Sequence, residues 1–178
     1  MSTTPNDAAA PRLDEVDRIV EGWSTARPDL DVAPLAVFSR ISRLSRYLEV
    51  ARRAAFTDAG LEGWEFDMLS ALRRSGEDAL SPGALMHETL VTSGTMTTRI
   101  DKLVARSLVS KNRSPRDGRG VEVRLRPDGV ARVDAAMEKL LEAEQGLLEP
   151  LAPDGRSALA DTLRSLLLTF EADDPPQR

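Results

Sequence analysis

Apolar residues recur at helical spacing in six separate stretches of this 178-residue chain, and two short alternating stretches flank a single Pro/Gly-rich loop. Together these patterns predict a mostly α fold carrying one small β-hairpin. A third observation, the crowding of positive charge around that loop, separates the segment from the rest of an otherwise acidic chain.

Leu13, Val16, Ile19, Val20 and Trp23 lie on one stripe, so a short amphipathic helix precedes the break at Arg27-Pro28-Asp29. A long helix is expected from Pro34 to Asp58, with Val37, Ile41, Leu44, Leu48, Ala51 and Ala55 on one face and Gly60 as its stop. Leu61 to Arg74 is apolar on several sides, which predicts a mostly buried helix. Ser81-Pro82 pairs an N-cap serine with proline at the first helical position and starts a short helix ending near Leu90. Thr92 or Ser93 caps the next, in which Met96, Ile100, Leu103 and Val104 form a narrow apolar face up to Arg106. Two short helices joined by a tight turn make a helix-turn-helix.

Leu108–Arg113 and Gly120–Leu125 read as strands, the second alternating Val121, Val123 and Leu125 with charged residues. The loop between them carries Arg116 and Arg119 and is a wing. Pro127 opens another long helix with Val133, Met137, Leu140, Leu141, Leu147 and Leu148 on one face. After a break at Pro150–Pro153 comes the last helix, with Leu159, Leu163, Leu166, Leu167 and Phe170. The fold class is therefore a winged helix-turn-helix lobe on a helical scaffold. The long helices carry more apolar surface than the small lobe can cover, which points to a second subunit, a homodimer.

Composition narrows the function. The chain has no cysteine and one histidine, His87, so thiol chemistry, thiolate metal sites and a histidine-based metal cluster or triad are excluded within one chain. No metal or other cofactor is expected, and no convergent set of nucleophile, base and oxyanion donors is visible, so an enzyme is not expected. No apolar run approaches the roughly 20 residues of a membrane span. The opening residues have neither a basic nor an apolar export segment, so the expected location is cytoplasmic.

Net charge is −5, yet Ser93–Arg126 holds nine basic residues against three acidic ones. Location of charge, not its total, decides whether nucleic acid is a partner. Thr95, Thr98 and Lys102 are expected to face the major groove and Arg106 a phosphate. Arg116 is expected at a phosphate and Arg119 in the minor groove, aimed by Asp117. Double-stranded operator DNA is the expected partner.

The element order, and the stretch VTSGTMTTRIDKLVARSLVSKNRSPRDGRGVEVRLRPDGVARV in particular, resembles the MarR family of dimeric transcriptional regulators, from about Leu13 to Phe170. A narrower resemblance is to the family's urate-responsive subgroup, which adds an N-terminal helix. That resemblance implies ligand-binding roles for Trp23, Asp67, Arg99 and, in place of the subgroup's arginine, Lys111. Lysine keeps the charge and loses the planar fork, so the implied ligand is urate or another small anion such as a tricarboxylate or phenolic acid. Arg99 sits at the border of its helix's apolar face, able to turn toward a ligand or toward DNA. Asp67, between Phe66 and Met68, is expected to be buried enough to need a cation or donor.

The chain is accordingly divided into frayed ends at 1–11 and 173–178 and one domain at 12–172. Within it, 12–58 and 127–172 are dimerisation helices and 61–126 the DNA-binding lobe. The function expected is a ligand-responsive repressor acting on a pseudo-palindromic operator and released by a small anionic metabolite. The alternatives are the same fold responding to a different ligand or none, and an interaction scaffold that uses only the dimer helices.

Overall fold

The structure, a computed structural model, describes residues 12–89, 91–113 and 120–171. Along these residues run α1 (Glu15–Ala26), α2 (Ala33–Asp58), α3 (Gly63–Arg74), α4 (Pro82–Thr89), α5 (Ser93–Ala105), β1 (Val109–Arg113), β2 (Val121–Leu125), α6 (Pro127–Leu148) and α7 (Pro153–Glu171). The chain divides inside α2 into two compact units, one ending at Glu49 and one beginning at Val50.

In the first unit, Asp14 caps α1 by accepting from the backbone N–H groups of Val16 and Asp17, while the Asp17 carboxylate accepts from the Asp14 N–H. This reciprocal arrangement satisfies amides that the first turn leaves without helical partners. Arg40 of α2 reaches the same corner, donating to Asp14 at 2.8 Å and 3.0 Å and to Asp17 at 2.7 Å. One guanidinium thus ties the start of α1 to α2.

The second unit is the lobe. Gly60 has φ +68° and ends α2: its N–H donates to the Thr57 carbonyl and that of Leu61 to the Phe56 carbonyl. These two bonds are the Schellman arrangement, in which glycine takes the left-handed residue at no steric cost. Leu61 is consequently a buried link rather than the first residue of α3, so α3 starts two residues later than its apolar pattern suggests.

Phe56 stacks on Phe66 with ring centroids 4.1 Å apart, joining the end of α2 to α3. Met68, Leu69, Leu85, Ile100, Leu103 and Val123 are fully buried around this pair, so α3, α4, α5 and β2 share one core. β1 and β2 pair antiparallel, Val109 opposite Leu125 and Lys111 opposite Val123. Leu80 adds a bridge to Val123, exchanging backbone hydrogen bonds of 3.0 Å and 2.9 Å, which ties the hairpin to the segment before α4. At the other end, a Cβ on Gly129 would overlap the Leu108 carbonyl oxygen, so only glycine lets α6 start this close to the hairpin.

The Asp14 carboxyl is held down to about 2 from its ordinary 3.8, chiefly by the hydrogen bonds from Arg40 and further by the capping amides. Because this value is lowered in the folded state, the capping contribution is complete above about pH 3.8 and is lost as pH falls through about 2. Carboxyl ¹³C NMR should therefore give an Asp14 midpoint near 2 that moves back toward 3.8 in Arg40→Ala. An unchanged midpoint would remove Arg40 from the corner.

Candidate nucleic-acid interface

Recognition by a helix requires that one side be anchored and the other presented. In α5, Met96, Ile100 and Leu103 are buried, spaced four and three residues apart, and the helix packs against α4 and β1. Val104 lies at the edge of that face and remains partly open. The opposite side presents Thr95, Thr98 and Lys102, which share a cleft of 390 Å³ with Gly94, Arg99 and Trp64. Of the groove-facing residues expected from sequence, these three are brought together.

Arg99 is half-buried, with its guanidinium 5.4 Å from the centroid of the Trp64 ring, and the Lys102 ammonium stands 5.9 Å from the same residue. The indole N–H donates to a Glu62 carboxylate oxygen at 2.6 Å. Among the described residues, no carboxylate lines the cleft. Hydroxyl donors and cations are what an anionic backbone and base edges require.

Arg106 departs from its expected place at a phosphate. Its guanidinium is bonded to the carboxylate of Glu65, which is only 1% exposed, and donates to the Gly60 carbonyl at 2.7 Å. The physical reason is that a buried carboxylate needs a cation. Glu65 also accepts from the Glu62 N–H at 2.9 Å, closing the first turn of α3. Ser107, with φ +59°, follows at once and turns the chain into β1.

Asp67 corrects another expectation. It is exposed on the same side of α3 as Arg74, although residues 65, 66 and 68 to 72 are buried. It lines a cleft of 230 Å³ with Arg52, Phe66, Ser70, Arg74 and Glu88. Arg74 donates to Glu88 at 2.6 Å and holds that carboxyl below its usual range. Arg99 lies in the other cleft, and the Lys111 ammonium pairs with Asp101 at 3.0 Å, tying β1 to α5. Trp23 belongs to α1 in the first unit and is exposed. Within the second unit, Asp67 and Arg99 thus line different clefts and Lys111 is engaged by Asp101. His87 is exposed beside Glu88 at 3.9 Å. Arg116, Asp117 and Arg119 lie outside the described residues.

Sequence reasoning missed Trp64 and Glu65 as site residues. The pattern Glu62 to Glu65 signals a capping box, present here in both directions. That Trp64 and Glu65 then meet α5 is a tertiary fact.

Among the described residues, no helix is long and apolar enough to cross a membrane and no cluster could hold a metal ion. A helix-turn-helix followed by a β-hairpin, with a cationic outer face on its second helix, defines a winged-helix DNA-binding regulator. Residues 59–120 match the family model described as MarR family. The HTH-type transcriptional regulator PecS of Dickeya dadantii (strain 3937) is 32% identical over 146 residues, covering 82% of this chain and 88% of that protein. The chain belongs to the MarR family of transcriptional regulators. Similar solved structures include wild-type MarR from E. coli in its apo form, with TM-score 0.61, 22% identity and coverage of 74% and 96%. A mutant MarR from E. coli complexed with operator DNA gives TM-score 0.63 and 23% identity over 76% and 95%. BpsR of Bordetella bronchiseptica, whose DNA binding is described as regulated by 6-hydroxynicotinic acid, gives TM-score 0.55 and 30% identity over 71% and 98%. Family and fold are those of regulators, not enzymes.

Arg106→Met strands the Glu65 carboxylate and should cost about 2–3 kcal/mol, below the full penalty for breaking a buried pair because the arginine is partly exposed. Urea denaturation checks this. Wild-type stability in that variant would mean that Glu65 does not depend on Arg106.

Proposed function

We propose that this chain is a homodimeric repressor that binds a pseudo-palindromic operator and is released by a small anionic metabolite, urate-like in chemistry. The observation that carries the DNA-binding part is the outer face of α5, where Thr95, Thr98 and Lys102 stand clear while Met96, Ile100 and Leu103 are buried. Arg106 leaves the proposed contact set, since its guanidinium is engaged by Glu65 and Gly60. Arg116 and Arg119 of the wing join it on sequence grounds alone.

The homodimer reading is supported by apolar stripes that lack cover. Leu159, Leu163, Leu166, Leu167, Leu168 and Phe170 of α7 are all exposed, as are Val37, Phe38, Ile41, Leu44 and Tyr47 of α2. Such contiguous surface is rare on a soluble monomer. A second copy of the chain is the proposed cover, and a two-fold axis then spaces the half-sites about 10 bp apart, centre to centre.

For the ligand, the cleft beside Asp67 offers Arg52 for an anion and a carboxylate for a ligand N–H. The regulation of BpsR by a small heteroaromatic acid supports that class. Arg99 and Lys111, together with Trp23, enter through the resemblance to the urate-responsive subgroup. Arg99 is stacked on Trp64 and Lys111 is paired with Asp101 of α5. An anion that recruits either cation therefore releases a contact to the recognition helix, and linkage requires DNA to weaken ligand binding by the same factor. Titrating urate, and separately 6-hydroxynicotinic acid, into operator complexes of wild type, Asp67→Asn, Arg99→Ala and Trp23→Phe tests this. Equal release from all four would remove these residues from the sensor.

Lys102→Ala should weaken binding to a duplex selected by the wild-type protein, while Lys139→Ala, on the exposed side of α6, should not. The loss should shrink as salt rises, because each phosphate contact releases a counterion. Identical affinities would take α5 out of the interface. Leu163→Asp should produce monomers in sedimentation and abolish cooperative occupancy of two half-sites; a dimer of undiminished stability would place the interface elsewhere.

A further inference from the structure

Arg99 and Lys102 are three residues apart on α5, so their side chains leave the helix on neighbouring lines and converge on one indole. Two cations brought this close repel each other, and no carboxylate is among the described residues that line their cleft. What holds them is the negative face of the Trp64 ring. The ring is itself fixed: Trp64 sits in the first turn of α3, half-buried, with its N–H bonded to Glu62 at 2.6 Å. Thr95 and Thr98 line the same cleft, so hydroxyl donors and both cations open to one side.

Resting on the DNA-binding reading of α5, we propose that Trp64 is a positioning residue for DNA recognition, holding Arg99 and Lys102 together so that the helix meets the duplex with its cations already oriented. Long basic side chains lose much rotamer freedom when they bind, and ordering them beforehand removes that cost from association. An uncharged ring that touches no base is thereby a determinant of affinity.

The test uses the full chain and a duplex selected by wild-type protein from a randomised pool, with affinity read by anisotropy. Trp64→Leu keeps apolar bulk without the ring quadrupole and should bind about fivefold to tenfold more weakly. Trp64→Phe restores a ring and should recover most of that loss. In protein already carrying Arg99→Ala and Lys102→Ala, Trp64→Leu should cost almost nothing further, because the coupling has been removed. Wild-type affinity in Trp64→Leu overturns the proposal, as does an equal loss in Trp64→Phe, or an undiminished loss in the background lacking both cations. If wild-type protein selects no duplex at all, the DNA-binding reading fails together with this one, an outcome distinct from each of those above.

Discussion

Glu65 is the residue around which the lobe is arranged. Its carboxylate is buried among apolar side chains of α3, where an unpaired charge would cost several kcal/mol. Arg106 meets that need from the C-cap of the recognition helix, and its other terminal nitrogen donates to the Gly60 carbonyl just past the end of α2. One buried charge therefore joins the end of α2, the start of α3 and the end of α5. The recognition helix is held at its far end by electrostatics and along its length by Met96, Ile100 and Leu103.

The same turn of α3 that buries Glu65 carries Trp64 toward the outer side of α5. Position 65 faces the core while position 64, some 100° around the helix, borders the cleft that Thr95, Thr98, Arg99 and Lys102 share. Structural and recognition roles are thus adjacent along the chain but separated by helical geometry. Basic residues divide in a similar way. Lys102 and Arg99 stand on an aromatic face, whereas Lys111 is tied to Asp101 and Arg124 to Glu122. An acidic chain can still carry a basic patch because nine of its cations fall between Ser93 and Arg126 against three carboxylates.

Most helices, the helix-turn-helix and the hairpin were legible in the sequence because each rests on local physics, the start of α3 excepted. Gly60 halts α2 through its left-handed backbone, Ser81 and Pro82 start α4, and the alternation of Val121, Val123 and Leu125 marks a strand. The outward set Thr95, Thr98 and Lys102 was equally legible, since burial of Met96, Ile100 and Leu103 leaves them no other side of a helix to occupy. Family membership too was written in the order of elements and the stretch from the recognition helix to the wing.

Which carboxylate is buried was not written there. Glu65 and Asp67 lie two residues apart on one helix, and a pattern apolar on several sides does not say which of them faces the core. The rotation of α3 decides it, and that rotation is set by where Phe56, Leu85 and Ile100 leave room. The partners of Arg106, Arg99 and Lys111 were hidden for the same reason. The three are close in sequence, yet their contacts, Glu65, Trp64 and Asp101, are fixed by packing of α5 against α3 and β1. Sequence determines charge and local conformation residue by residue; the contact each charge makes depends on distances between elements, which only the folded chain defines.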